Sequence, residues 1–188
     1  MFDERAAVTD VDVDVDIREG TAADALCIAV LAMQVFLDTY AGDGLRDDLA
    51  REALSVYAPD VFAKKLAQPS THFLLAERAG HLLGFAEISL ASTPPDVSLV
   101  SLNDGAELVR LYVQRPFKRM RIGGALLARS EALAITKSSP CLWLTAWSGN
   151  HAALSFYAVS GYRDVGASEY VFEGNAYENR IFMKTLAR

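Results

Sequence analysis

The stretch LYVQRPFKRMRIGGALL, residues 111–127, decides how the rest of the chain is read. Leu111-Tyr112-Val113 has the aromatic and β-branched character of a strand end. A short basic loop with Lys118, Arg119 and Arg121 follows, and Gly123-Gly124 then opens an apolar, helix-forming run. The first N–H groups of a helix have no intrahelical acceptor, and the helix dipole makes that end positive. Glycine lets an anion approach the backbone closely, so this pattern describes a phosphate site. A plain strand-to-helix connection with solvated charges has the same appearance. The stretch is not a P-loop, because no Gly-Lys-Ser/Thr follows at the required spacing, and it is not the dinucleotide fingerprint.

On the N-terminal side, Asp and Val alternate from Asp10 to Asp16, a period of two that predicts a strand running through Ile17. A calcium loop is rejected there, since Ile17 and Ala23 occupy the positions that need Gly and Glu. Thr21 and Asp24 form a capping-box-like helix start. Leu26, Val30, Met33 and Phe36-Leu37 then recur as the apolar face of a helix ending near Tyr40. Helices are expected over Asp47–Tyr57 and, after Pro59, over Asp60–Gln68. The period then shortens. His72–Glu77 and His81–Leu90 form a hairpin around Ala79-Gly80, Thr93–Gly105 is a loop, and Glu107–Val113 is a strand. On the C-terminal side come a helix over Ile122–Thr136, a buried strand over Cys141–Ala146 and a short helix capped by Asn150. Strands over Tyr162–Phe172 and Tyr177–Leu186 flank a Glu173-Gly174-Asn175 turn. The order of elements implies an α+β, or mixed α/β, architecture.

The 188 residues, of which 52% are hydrophobic and 22% charged, suit one globular domain and exclude a disordered or fibrous chain. Eighteen basic against 24 acidic residues give a net charge of −6, which argues against a nucleic-acid partner. The same charge is compatible with a cationic small molecule. Cys27 and Cys141 have no Cys-x-x-Cys spacing and read as small buried hydrophobes, without a disulfide framework or a metal site. The N-terminal residues lack a basic-then-apolar leader pattern. The apolar stretch Leu26–Met33 falls short of the roughly 20 residues of a membrane span. The expectation is a cytoplasmic protein with no membrane partner.

A second block, LWLTAWSGNHAALSFYAVSGY at residues 142–162, joins the first about 30 residues downstream. Together they resemble the GNAT N-acetyltransferase superfamily. The family's acyl-CoA motif, Arg/Gln-x-x-Gly-x-Gly/Ala after a Leu-Tyr-Val strand, falls on Lys118, Arg121 and Gly123. Lys118 stands for Arg or Gln, and Arg121 stands where the family has its first Gly. The Asn-x-x-Ala-x-x-Phe-Tyr-x-x-x-Gly-Phe block falls on Asn150, Ala153, Phe156, Tyr157, Gly161 and Tyr162. The Trp147 context and the ending Phe172…Gly174…Met183-Lys184 resemble the Pai-type polyamine acetyltransferases. The resemblance covers about residues 17–186. It implies a GNAT-like acyl-CoA N-acyltransferase fold: a mostly antiparallel sheet of six or seven strands, helices on both faces, and fourth and fifth strands that diverge. Residues 1–16 would be a flexible or strand-extended tail, and 17–188 one GNAT domain.

The resemblance also implies acetyl-CoA as co-substrate and direct attack by a primary amine in a ternary complex, without a metal. It assigns pantetheine contacts to Leu111 and Val113, with Tyr112 between them, and carbonyl polarisation to the backbone N–H around Val113. It assigns pyrophosphate contacts to Arg119, Met120, Arg121, Ile122, Gly123 and Gly124, with Lys118 adding charge. Arg121 either pairs with a phosphate or obstructs it. Asn150 is a helix cap with an implied pantetheine contact. Tyr157 either protonates the leaving thiolate or packs under the coenzyme. An alkyl amine has a pKa near 10, so a carboxylate or a water relay must take its proton. Glu107 is the first candidate for that base, against an exposed strand-end carboxylate, with Glu87 as the alternative. The acceptor is expected to be a polyamine or other small cationic amine, bound by residues 33–40, the third helix and the last hairpin. Rival readings are an amino acid, aminoglycoside or protein N-terminus as acceptor, and a non-catalytic CoA-binding module. A homodimer is compatible with all of them.

Overall fold

A computed structural model describes residues 15–95, 105–172 and 175–187. Strands β2 (Thr71–Arg78) and β3 (His81–Ser89) form the expected hairpin. Its turn residues Ala79 and Gly80 both take positive φ, 49° and 75°, which matches the twist of the flanking strands. Side chains alternate across β2. Phe73 and Leu75 pack with one hydrophobic cluster, Leu74 and Ala76 with the other. The sheet therefore needs cover on both faces. Helices α1 (Ala25–Tyr40), α2 (Asp47–Val56) and α3 (Pro59–Leu66) cover the first face. Helix α4 (Ile122–Thr136) covers the second and buries Ile122, Leu126, Leu127, Ser130 and Ala134.

With β1 (Asp16–Glu19), β4 (Ala106–Val113), β5 (Cys141–Trp147), β6 (Arg163–Phe172) and β7 (Asn175–Thr185), the sheet has seven strands in the order β1-β2-β3-β4-β5-β7-β6. Helix α5 (His151–Val159) lies between β5 and β6. All neighbours are antiparallel except β4 and β5. That parallel pair holds at Ala106 with Leu142 and Glu107 with Trp143, and the strands separate beyond it. Just past this point β4 carries a bulge: Arg110 faces Glu87 and Leu108 faces Ile88, which leaves Val109 as the extra residue. A bulge re-aims the strand and increases its twist.

Three expectations need correction. The buried stripe of α1 is Ala25, Ile28, Ala29, Leu31, Ala32, Val35 and Phe36, whereas Leu26 and Val30 are 62% and 60% exposed. The helix is apolar nearly all round, so periodicity offered two stripes, and the one rich in alanine allows the closer approach to the sheet. Cys27 lies outside that stripe and is exposed, while Cys141 is buried. The helical run from Ala22 to Tyr40 is 19 residues, with mean hydropathy 1.6, long and apolar enough to cross a membrane by length and composition. Here it packs against the sheet. The tail and the expected strand from Asp10 lie outside the described residues up to position 14, as do residues 96–104 of the long loop and Glu173-Gly174.

Candidate active site

Where β4 and β5 part, a cleft of about 600 Å³ opens. Its floor is β4 from Leu108 to Val113, and its far wall is Thr145, Ala146 and Trp147 at the end of β5. The basic loop closes one end. Arg119 and Arg121 both take left-handed backbone conformations, at φ 67° and 61°. Arg121 is the N-cap of α4 at ψ 2°, and its carbonyl accepts the N–H of Ala125. The N–H groups ahead of Ala125 belong to the helix turn that lacks intrahelical acceptors. A β-carbon on Gly124 would meet nothing within 4 Å, and Gly123 beside it lines the cleft. Arg121 thus keeps the backbone shape that glycine adopts most readily, at the cost of a Cβ in the left-handed region.

The sequence-derived residues divide by position. Leu111, Tyr112, Val113, Lys118, Gly123, Asn150 and Tyr157 line the cleft. Arg119, Met120, Arg121, Ile122 and Gly124 do not. Met120 and Ile122 pack into the core, so what they offer a ligand is backbone N–H. Asn150 caps α5, its Oδ1 accepting the N–H of Ala153 at 3.2 Å. Tyr157 is buried at the cleft wall against Phe156, Tyr162 and Phe182, and desolvation holds its hydroxyl well above the usual phenol range. Such a phenol is undissociated at neutral pH and is available as a hydrogen-bond donor.

Glu107 lies elsewhere. It lines a second cavity of about 250 Å³ with Ser92, Trp143, Ser168 and Glu169. Thr145, Tyr170 and Asn179 line both cavities, so the two adjoin. Burial pushes the Glu107 carboxyl above its ordinary range, a hydrogen bond with Ser92 opposes this, and the Glu87 charge adds to the rise. Glu87, the alternative base, does not line the cleft. It is 2% exposed. One oxygen accepts Lys65 Nζ at 2.6 Å and the other accepts Arg110 Nη1. Arg110 in turn stacks on Tyr57 and Phe62, at 5.4 and 5.8 Å from the ring centroids. Glu87 neutralises Arg110, a cation of the cleft floor, and its lone pairs are committed to that task.

The other end of the cleft is aromatic. Phe36 and Tyr40 come from α1, Tyr57 from just after α2, Trp147 from β5, Tyr170 from β6 and Tyr177 from β7. The third helix, expected in this wall, does not reach it, and α2 supplies Arg46, Leu49, Glu52 and Val56 in its place. Glu52 was not singled out from sequence. The only signal was its spacing of three from Leu49, which puts it beside the buried stripe of α2. Tyr170 donates its hydroxyl to Glu52 Oε1 at 2.9 Å across the cleft mouth. Gly149 packs so closely on Trp147 that a β-carbon would lie 2.5 Å from the indole, which holds the ring toward the cleft. Among the described residues no cluster of potential metal ligands occurs.

Comparison with known proteins bears on this geometry. The model of the acetyltransferase (GNAT) family matches residues 42–162. An N-acetyltransferase of the pepI 3' region of Lactobacillus delbrueckii subsp. lactis, itself uncharacterized, is 26% identical over 142 residues, 76% of this chain and 79% of that protein. The PaiA N-acetyltransferase of Thermoplasma acidophilum, solved in complex with coenzyme A, superposes with a TM-score of 0.71 at 21% identity, covering 91% of this chain and 98% of that one. A ribosomal-protein-alanine N-acetyltransferase of Brucella melitensis gives 0.63 at 22% identity, covering 91% and 99%. At these identities the structural likeness speaks to the fold, which both share with this chain.

Proposed function

The chain belongs to the acetyltransferase (GNAT) family, and we propose that it moves the acetyl group of acetyl-CoA to a primary amine held in the aromatic end of the cleft. The observation that carries this reading is the convergence on one cleft of the α4 loop, the parted strands and Tyr157. Gly123, lining the cleft without a Cβ, and the turn of unpaired N–H groups suit a pyrophosphate, with Lys118 adding positive charge. Backbone N–H groups at Val113 polarise the thioester carbonyl, so charge developing on oxygen meets a fixed donor. Attack by the amine forms the C–N bond and breaks the C–S bond. Tyr157 protonates the departing sulfur, which its undissociated phenol is suited to do. The proton of the amine passes by water through the adjoining cavity to Glu107, whose raised affinity for protons fits a base working nearer neutrality. No acyl-enzyme nucleophile is needed.

The acceptor in this reading is a polyamine or other small cationic amine. The aromatic wall with Glu52 supports it, as does the net charge of −6. The test is acetyl-CoA-dependent thiol release against spermidine, spermine, amino acids, aminoglycosides and short peptides, with calorimetric titration of CoA alongside. Turnover confined to cationic amines supports the reading. Turnover with another class moves the acceptor and keeps the chemistry. CoA binding without turnover on any amine replaces it with a non-catalytic module.

A further inference from the structure

We propose that Tyr40, Trp147 and Tyr177, with the Glu52–Tyr170 pair at their rim, form a cage for an alkylammonium group. The inference rests on the acceptor end of the cleft assigned above and names how that end recognises its ligand. Tyr40 and Trp147 have ring centroids 5.4 Å apart, and Trp147 and Tyr177 meet edge to face at 6.5 Å. All three rings line the cleft. Aromatic faces carry negative quadrupole charge and attract a cation within about 6 Å. The cation–π pairs among the described residues engage Phe117, Tyr57, Phe62 and Tyr162, and none uses these three rings.

Glu52 is the one carboxylate among the described residues that line the cleft, and it makes no ion pair there. Tyr170 fixes one of its oxygens at 2.9 Å and leaves the other available. Of the cations near the rim, Arg46 is paired to Asp48 through bonds of 3.1 and 2.9 Å and meets the Tyr177 hydroxyl, and Arg110, whose charge acts on Tyr170, is paired to Glu87. Both charges are thus largely balanced, and Glu52 supplies the net negative charge of the rim. Burial raises the hydroxyls of Tyr40 and Tyr170 to about 12, so neither adds an anion of its own at neutral pH. Three rings and one fixed carboxylate recognise charge and size without needing an N–H from the ligand.

A quaternary ammonium tests this separately from acetyl transfer, because it cannot be acetylated. Choline and its neutral carbon isostere 3,3-dimethylbutan-1-ol are titrated calorimetrically into the whole chain, with and without CoA. Choline is expected to bind at least about tenfold more tightly, a difference of about 1.4 kcal/mol. The preference should collapse in Glu52→Gln and in Trp147→Leu and survive in part in Trp147→Phe, which keeps a ring. Choline should also compete with amine acceptors, and Glu52→Gln should raise their KM while kcat holds. Equal binding of the two probes overturns the cage, as does a preference that survives both Glu52→Gln and Trp147→Leu. Acetyl transfer without cation preference removes the cage and leaves the proposed function standing. Cation preference without acetyl transfer to any amine does the reverse.

Discussion

Glu87→Gln isolates the ion network at the cleft floor. The substitution keeps the shape of the side chain and removes its charge. Arg110, which lines the cleft and is 13% exposed as a side chain, then loses the carboxylate that balances it. Removing one partner of a buried pair costs about 3–5 kcal/mol, because the remaining charge stays desolvated. Here the Tyr57 and Phe62 faces retain part of the stabilisation of Arg110, which places the cost near the lower end, about 3 kcal/mol. For a chain of this length that lowers Tm by about 6–12 °C. Lys65, the outer partner, is 29% exposed as a side chain, so Lys65→Met should cost about 1 kcal/mol or less. Replacing both ends of the inner pair, as in Glu87→Gln with Arg110→Met, should recover much of the loss. Thermal and urea unfolding of the three variants measures this. A Glu87→Gln protein melting within 2 °C of the parent, or a double variant less stable than Glu87→Gln alone, would refute the reasoning.

Tyr157→Phe should lower kcat by about a hundredfold or more with little change in KM for acetyl-CoA, as steady-state kinetics will show, and an unchanged kcat leaves Tyr157 a packing residue. With the Glu107 carboxyl raised by burial, the active base form is lost as pH falls through a value above the ordinary carboxylate range. The acid limb of the kcat/KM profile should therefore lie above pH 4.5 or so and vanish in Glu107→Gln. The same rise means that the fold favours the protonated form, so Glu107→Gln should melt no lower than the parent at pH 7. Arg121→Gly relieves a left-handed residue and should stabilise the chain by up to about 1 kcal/mol, whereas Arg121→Ala keeps the Cβ and should not. If the Arg121 side chain pairs with phosphate, both variants weaken CoA binding in calorimetry, and tighter binding by both would show obstruction.

The fold was legible because its determinants are local. The loss of helical period and the strand-forming composition located β2 through β4, the Ala79-Gly80 turn set the hairpin, and Asn150 marked the start of α5. Local pattern failed on α1, where apolar residues surround the helix and only packing against Phe73 and Phe85 selects the buried side. The proposed phosphate end was legible for the same reason as the hairpin: its candidate residues are contiguous from Lys118 to Gly124, on one loop and one helix turn, of which Lys118 and Gly123 line the cleft. Sequence could not say that Arg121 would adopt the left-handed conformation.

The proposed acceptor end is of another kind. Glu52 and Tyr170 meet from positions 118 residues apart, and the rings of Tyr40, Trp147 and Tyr177 come from α1, β5 and β7. Glu107 and Glu87 sit on adjacent strands. Yet one lines a cavity next to the cleft, while the other is locked between two cations. Residue type and spacing carry backbone conformation and the charge of a single segment. Which side chains share a cavity, and which charges are already balanced, depends on how separated segments pack, and that was decided only when the sheet parted between β4 and β5.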